Sequence, residues 1–292
     1  MDQFLQQLVN GLSLGSIYAL VALGYTMVYG IIKLINFAHG DVYMIGAYTA
    51  YWVTTYFGFS FIPALLTCML VCGVLGVLIE RIAYKPLRKA PRITALITAI
   101  GVSYVIEYTT QFFMGTSVRT YPPLLPNKSW TLGPITITYL QLVIFSVTLV
   151  LCILLTLIIQ KTKIGRAMRA VSADENAAKL MGISVDNTIS FTFFLGSALA
   201  GAAGILVGIY YNSATPLMGM VPGLKAFVAA VFGGIGSIPG AMVGGLFIGI
   251  CETLVTAYGN SMYRDAIVYA ILILVLIIRP AGLFGKAEKE KV

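Results

Sequence analysis

Residues 138–160 read TYLQLVIFSVTLVLCILLTLIIQ, a run of 23 positions without a charged side chain. As an α-helix it is about 34 Å long, enough to cross the roughly 30 Å hydrocarbon core of a bilayer. It ends in KTKIGRAMR at 161–169, and an apolar run that stops at a basic cluster marks a membrane exit. The same pattern recurs on both sides of it. Apolar segments run over Leu5–Tyr29, Asp41–Phe57, Phe61–Glu80, Ile93–Met114 and Thr188–Tyr211. A shorter pair follows, Gly223–Gly234 and Gly240–Tyr258, and then Tyr263–Ile278. The whole chain of 292 residues is 59% hydrophobic and 10% charged, against about 25% charged residues in soluble domains. These numbers predict an all-α, polytopic integral membrane bundle forming a single domain over 1–292, with about seven to nine spans including a short or re-entrant helical pair. A free-standing soluble enzyme, a disulfide scaffold and a nucleic-acid binder are all excluded by them. The net charge of +8 reads instead as the cationic bias of membrane loops, facing lipid and not nucleic acid.

The placement of that charge predicts the orientation. Arg81, Lys85, Arg88, Lys89 and Arg92 fall in one loop, and Lys161, Lys163, Arg166, Arg169 and Lys179 in another. The tail adds Arg279, Lys286, Lys289 and Lys291, and Lys33 sits at the first turnaround, so fifteen of nineteen cationic side chains share one side. Arg119, Lys128 and Arg264 oppose them, and Lys225 is undecided. By the positive-inside rule the N-terminus lies outside and the C-terminus in the cytoplasm, which requires an odd number of crossings. Gly223–Gly234 is about 18 Å long as a helix, too short to cross alone. The stretch around GGIGSIPG at 233–240 is therefore either a re-entrant hairpin or a link between two short spans, at membrane depth or at the surface. Pairs of glycines four residues apart (Gly11 and Gly15, Gly204 and Gly208, Gly245 and Gly249, with Gly236, Gly240 and Gly244) predict close helix packing. The start, MDQFLQQLVN, lacks the basic residues of a signal peptide and reads as the beginning of the first membrane helix.

Little catalytic chemistry is available. The chain has one histidine, no GxSxG elbow and no phosphate-cradling GxxxxGK[ST] loop, so it is not expected to hydrolyse ATP or to need a metal of its own. Cys68, Cys72, Cys152 and Cys251 all lie in apolar runs and read as packing residues. Ionisable groups inside apolar segments are the remaining signal, because each costs about 2.5–3.5 kcal/mol at mid-helix on insertion scales. Asn36, His39, Asp41, Glu107 and Glu252 are the candidates for lining a translocation path. Neither glutamate has a basic neighbour within a helical turn, so each needs a polar partner on another helix or water; a purely structural, hydrogen-bonded role is the alternative.

The polar stretch 161–187, KTKIGRAMRAVSADENAAKLMGISVDN, is too regular for a linker. Ser172 and Glu175 have the spacing of a capping box that would start an amphipathic helix near Ala173, and Gly182 stands where a helix-ending glycine belongs. Such a helix either lies on anionic lipid or docks a cytosolic partner.

Three stretches carry a specific resemblance: GLSLGSIYALVALGYTMVYGIIKLINFAHGD at 11–41, GRAMRAVSADENAAKLMGI at 165–183 and KAFVAAVFGGIGSIPGAMVGGLFIGICE at 225–252. With the terminal RPAGLFG at 279–285, they make the chain similar, over almost all its length, to the permease subunits of bacterial branched-chain amino acid ABC importers. The resemblance implies a pore shared with a second, related permease subunit in the bacterial inner membrane. It implies two cytosolic ATP-binding subunits that hold ATP and Mg, and a periplasmic binding protein that delivers leucine, isoleucine or valine. It also implies that 161–187 is the loop coupling the pore to the ATPase, through Gly165, Arg166, Arg169, Glu175, Ala177, Ala178 and Gly182. Asn176 stands between Glu175 and Ala177, where the wider Glu-Ala-Ala pattern has no insertion. From the residues alone, a secondary carrier or channel without an ATPase, or a membrane scaffold without transport, fits the same composition.

Overall fold

The computed structural model describes residues 2–88, 90–279 and 281–285. Lys89, Lys286, Lys289 and Lys291 of the charge pattern, and Pro280 of the terminal motif, lie outside the described residues. Helices α1 (Asp2–Ile32), α2 (His39–Tyr56), α3 (Phe61–Ile79), α4 (Arg92–Met114) and α5 (Tyr139–Lys161) lead to two short ones, α6 (Lys163–Ala173) and α7 (Glu175–Leu180). The chain returns through α8 (Val185–Tyr210), α9 (Met220–Gly233), α10 (Ile238–Tyr258) and α11 (Arg264–Ile278). Strands β1 (Arg119–Thr120), β2 (Ser129–Leu132), β3 (Ile135–Thr138) and β4 (Ser213–Ala214) form two small antiparallel pairs, β1 with β4 and β2 with β3.

Seven of the described helices are long and apolar enough to cross a membrane: α1, α3, α4, α5, α8, α10 and α11. α2 is too polar for that set, and twelve of its eighteen residues are buried against protein. The centre of the bundle is made by α1 and α8, whose apolar stretches are 78% and 83% buried, while those of α4 and α11 are 22% and 6% buried. Helices that are apolar all round must be sorted into centre and rim by their partners, and small residues do the sorting here. Gly11 and Gly15 of α1 meet Gly249 and Leu246 of α10, and Gly245 of α10 meets Ala19, in one continuous seam. Gly46 of α2 meets Gly201 of α8 in a second. In lipid no solvent drive pushes helices together, so this close approach replaces it with van der Waals contact. Of the four-residue series, Gly240 and Gly244 face α9, whereas Gly236 lies in the turn before α10 with φ +93°. Cys68 and Cys72 pack on α8 at Gly201.

A Cβ on Gly249 would strike the backbone of Gly15. Gly249→Leu is therefore expected to destabilise the bundle by about 1–3 kcal/mol or more through overpacking. Gly101→Leu, at an exposed glycine with nothing within 4 Å of its Cβ position, is expected to change nothing. Size-exclusion of heated, solubilised membranes checks both, and equal survival of the two variants would show that the seam is not closely packed.

The basic loops gather at one end. Arg88 and Lys85 both bond to Asp186 at the start of α8, at 2.6 and 2.8 Å. A small cavity there touches Gly30, Ile159, Met168, Ser172 and Gly236 together. At the opposite end Gln6 exchanges hydrogen bonds with the backbone of Thr136 in β3. The short pair expected over 223–258 is resolved unequally. α10 has 21 residues and is a full span, whereas α9 has 14. Its turn into α10 lies at the basic end, where Leu283 and Phe284 donate backbone hydrogen bonds to Phe232 and Gly233. The other ends of the two unusual helices lie inside the bundle. The His39 ring at the start of α2 abuts Gly24, eight residues or about 12 Å before α1 ends, and Gly223 of α9 packs on Gly40.

Candidate functional site

Where α2 and α9 begin side by side, a cavity of about 240 Å³ opens between them and α4. Asp41 in the first turn of α2 and Glu107 on α4 both line it. A helix N-terminus leaves N–H groups unpaired and favours an acid, which is the local reason Asp41 is tolerated here. Ser103 of α4 donates to Asp41 Oδ2. Tyr25, Phe37 and Tyr104 supply aromatic walls, and Gly219 and Gly223 let α9 approach without filling the space.

Asn36 and His39 are buried but stand outside this lining. Tyr84 donates to Asn36 Oδ1 at 3.1 Å and to the Ile35 carbonyl at 3.2 Å. The His39 ring meets Tyr25 edge-on with centroids 4.7 Å apart. Asn36 lies in the segment that leads into α2, and His39 is the first residue of that helix.

Glu252 is separate from these residues. It faces a second cavity, of about 390 Å³, on the other side of α9. Met220, Gly223 and Leu224 of α9 face the first cavity, and Val221, Pro222 and Lys225 face the second. Glu252 finds its base across the helix interface. Lys225 Nζ lies 2.8 Å from Glu252 Oε1 and 2.7 Å from Asp265 Oδ1. Arg264 Nε reaches the same two oxygens at 3.3 and 3.2 Å, and Tyr18 donates to Glu252 Oε2 at 2.8 Å. Lys225 and Glu252 are 1% and 2% exposed. Lys225, Arg264 and Asp265 were not among the path candidates read from the sequence. A lysine inside the apolar run GLKAFVAAVFGG was the available signal.

At the basic end the polar stretch folds differently from the single helix expected. Ser172 lies inside α6, its hydroxyl donating to the Arg169 carbonyl. The break comes at Asp174, an extended residue whose carboxylate accepts from Asn176 N and Ala177 N at 2.8 and 2.9 Å. Asp174 thus caps α7 and displaces the Ser172–Glu175 box, because a residue with helical neighbours on its N-terminal side cannot also serve as an N-cap. Two helices result. α6 is held to the bundle by Gly165, whose Cβ position is occupied by the Ile158 and Ile159 carbonyls, and by Arg169, which donates to Ile159 O. α7 is held by Ala178, 3% exposed. Gly182 ends α7 at φ +79°, with Ile183 N bonded to Ala178 O and Gly182 N to Lys179 O, the paired bonds of a Schellman motif. Arg166, Glu175 and Ala177 face outward, and Glu175 pairs with Lys179 at 2.6 Å. Leu180 and Met181, apolar residues at the end of α7, are 89% and 82% exposed.

Seven apolar spans, two cavities flanking a short inner helix and a helix pair anchored at the basic end fit a multi-pass membrane protein of the transport class. Residues 7–276 match the family described as "Branched-chain amino acid transport system / permease component", and the chain belongs to that family. It is 44% identical to the high-affinity branched-chain amino acid transport system permease protein LivH of Escherichia coli K12, over 99% of this chain and 98% of that one. It is equally similar, with the same coverage, to the permease protein BraD of Pseudomonas aeruginosa. A probable LivH of Methanocaldococcus jannaschii is 31% identical over 94% of this chain and 90% of its own. No solved structure matches.

Proposed function

We propose that the chain is the membrane-spanning permease subunit of an ATP-driven importer that carries branched-chain amino acids, or similar small amino acids, across the bacterial inner membrane. A second, related permease completes the pore, two cytosolic subunits bind and hydrolyse ATP with Mg, and a periplasmic binding protein delivers the substrate. The basic end, with α6 and α7, faces the cytoplasm, and the N-terminus of α1 lies outside. The observation that carries the reading is the α6–α7 pair. It is pinned to the bundle at Gly165 and Ala178 and presents Leu180 and Met181 to solvent. An anchored pair with an exposed apolar tip transmits force from a partner, which a carrier driven by an ion gradient does not require. The relatives named as amino-acid transport permeases point the same way.

The expected result is that a tagged chain, purified from its native membrane, brings down a related permease and ATP-binding subunits. Vesicles of that complex then accumulate labelled leucine only with ATP on the α7 side and binding protein on the other. A cysteine at Ser129 is labelled from the binding-protein side and one at Ser172 from the ATP side. Leucine uptake driven by a proton or sodium gradient without ATP would identify a secondary carrier and overturn the proposal.

A further inference from the structure

The charges around Glu252 exceed what holding helices together requires. Replacing a buried ion pair by apolar residues of similar volume is often neutral or stabilising, so a buried pair is weak evidence of a structural role. Here four charged side chains from three helices surround an open cavity. Among the described residues the Tyr43 hydroxyl, which also lines it, has no hydrogen-bond partner although the residue is 1% exposed. A buried hydroxyl left unpaired is costly and calls for a partner outside the chain.

The arrangement specifies what that partner is. Lys225 and Arg264 balance Glu252 and Asp265, so the cavity has no net charge and favours neither an anion nor a cation. Yet its groups are not fully used. The ion-pair contacts of Asp265 run through Oδ1 and those of Arg264 through Nε. Among the described residues, no side-chain hydrogen bond runs through Asp265 Oδ2 or the two terminal nitrogens of Arg264. One acceptor for an ammonium group and a two-pronged donor for a carboxylate therefore stand together. Both side chains are about two-fifths exposed, placing them at the mouth. Leu217, Met218 and Val221 provide an apolar wall beside them. The volume, about 390 Å³, falls in the range of about 300–1,000 Å³ typical of small-molecule sites.

We infer that this cavity is a binding station for a free α-amino acid in its zwitterionic form. Its ammonium group sits at Asp265, its carboxylate is held by Arg264 and the Tyr43 hydroxyl, and its apolar side chain lies along Leu217, Met218 and Val221. The inference rests on the proposed import of amino acids and adds a specific stopping place beside α9.

The test uses the assembled importer in nanodiscs without its binding protein, with a cysteine at Thr215, which lines the cavity, as reporter. At a concentration near four times its dissociation constant, L-leucine is expected to slow modification by a small charged thiol reagent about fivefold, as four-fifths occupancy requires. Isoamylamine keeps only the ammonium group and 4-methylpentanoate only the carboxylate, and neither is expected to protect at the same concentration. Arg264→Gln and Asp265→Asn, at half-exposed positions that leave Lys225–Glu252 intact, are each expected to abolish protection by leucine. Unprotected modification of Thr215→Cys in the presence of saturating leucine would overturn the station, and so would equal protection by either single-charge analogue. ATP-driven leucine uptake by the unmodified complex is measured separately. Its presence alongside absent protection removes the station and leaves the importer, whereas its absence removes the importer itself.

Discussion

Lys225→Met is expected to abolish transport and to destabilise the bundle by about 3 kcal/mol, at the lower end of the 3–5 kcal/mol that breaking a buried ion pair costs. The loss arises on the acid side. Glu252 is 2% exposed and Lys225 is its nearest cation, at 2.8 Å. Tyr18 still donates to one carboxylate oxygen, and Arg264 stands 3.3 Å from the other, which keeps the cost from being larger. The double variant Lys225→Met with Glu252→Gln removes both charges, and a neutral pair of similar volume is expected to restore most of the lost stability. Transport is expected to stay absent in the double variant if the cluster handles substrate. Thermal unfolding of the solubilised protein and ATP-driven uptake read the two effects separately. Recovery of both would make the cluster a structural element only. A single variant as stable as the parent would show that the pair is not buried in the working protein.

The helices of this fold were legible in the sequence because lipid leaves the backbone few choices. Every spanning N–H and C=O must be paired within its segment, so a long apolar run has to be helical. The segment ends read from hydropathy fall within three residues of those observed, as at Leu5 against Asp2 for α1 and Thr188 against Val185 for α8. Helix burial was much less legible. α1, α8 and α11 are all uniformly apolar, and such helices have no polar face to show which way is out. Yet α8 lies at the centre and α11 at the rim. The glycine spacing held part of that information, and Gly11, Gly15, Gly245 and Gly249 do form a seam.

The buried acids Asp41, Glu107 and Glu252 could be picked out from the sequence, whereas Lys225, Arg264, Asp265 and the groupings could not. Asp41 and Glu107 share a cavity although 66 residues separate them in the chain, because α2 and α4 are brought together beside α9. Glu252 looked isolated, since its cation sits 27 residues away on a neighbouring helix. Partnership across helices leaves no trace in local spacing. The cap of α7 failed for a different reason. Ser172 and Asp174 are both good N-cap residues two positions apart, and the choice between them depends on how far α6 extends. That extent is set by the burial of Met168 and Val171 against the bundle, 2% and 4% exposed.

Replacing Leu180 and Met181 together by aspartate is expected to uncouple the importer while leaving this chain folded. Neither side chain contributes to the core, so the change should alter the stability of the isolated chain by about 0.5 kcal/mol or less. The tip itself stays in place. Gly165 and Ala178 pin the two helices from behind, and Gly182 closes α7 with a backbone conformation that a residue bearing a Cβ adopts only at about 1 kcal/mol or more. What changes, in the proposed docking role, is the surface offered to an ATP-binding subunit. Loss of a central apolar anchor from an interface typically costs about 2 kcal/mol or more, which is about a thirtyfold loss of affinity. Two charges taken out of water at a docked interface add a desolvation penalty to that loss. ATP-driven leucine uptake should therefore fall at least about tenfold. Co-purification of an ATP-binding subunit should fall with it, and that of a second permease should not. Lys179→Ala is the contrasting variant. It removes only an exposed pair with Glu175, worth about 0–1 kcal/mol, and uptake should be unaffected. Gly182→Val should give an intermediate result, because nothing lies within 4 Å of its Cβ position and only the backbone at the end of α7 is strained. The order of the three variants is the informative measurement. A docking tip predicts the largest loss at Leu180 and Met181. A helix resting on lipid predicts that the aspartates detach it from the membrane without changing how much ATP-binding subunit is recovered.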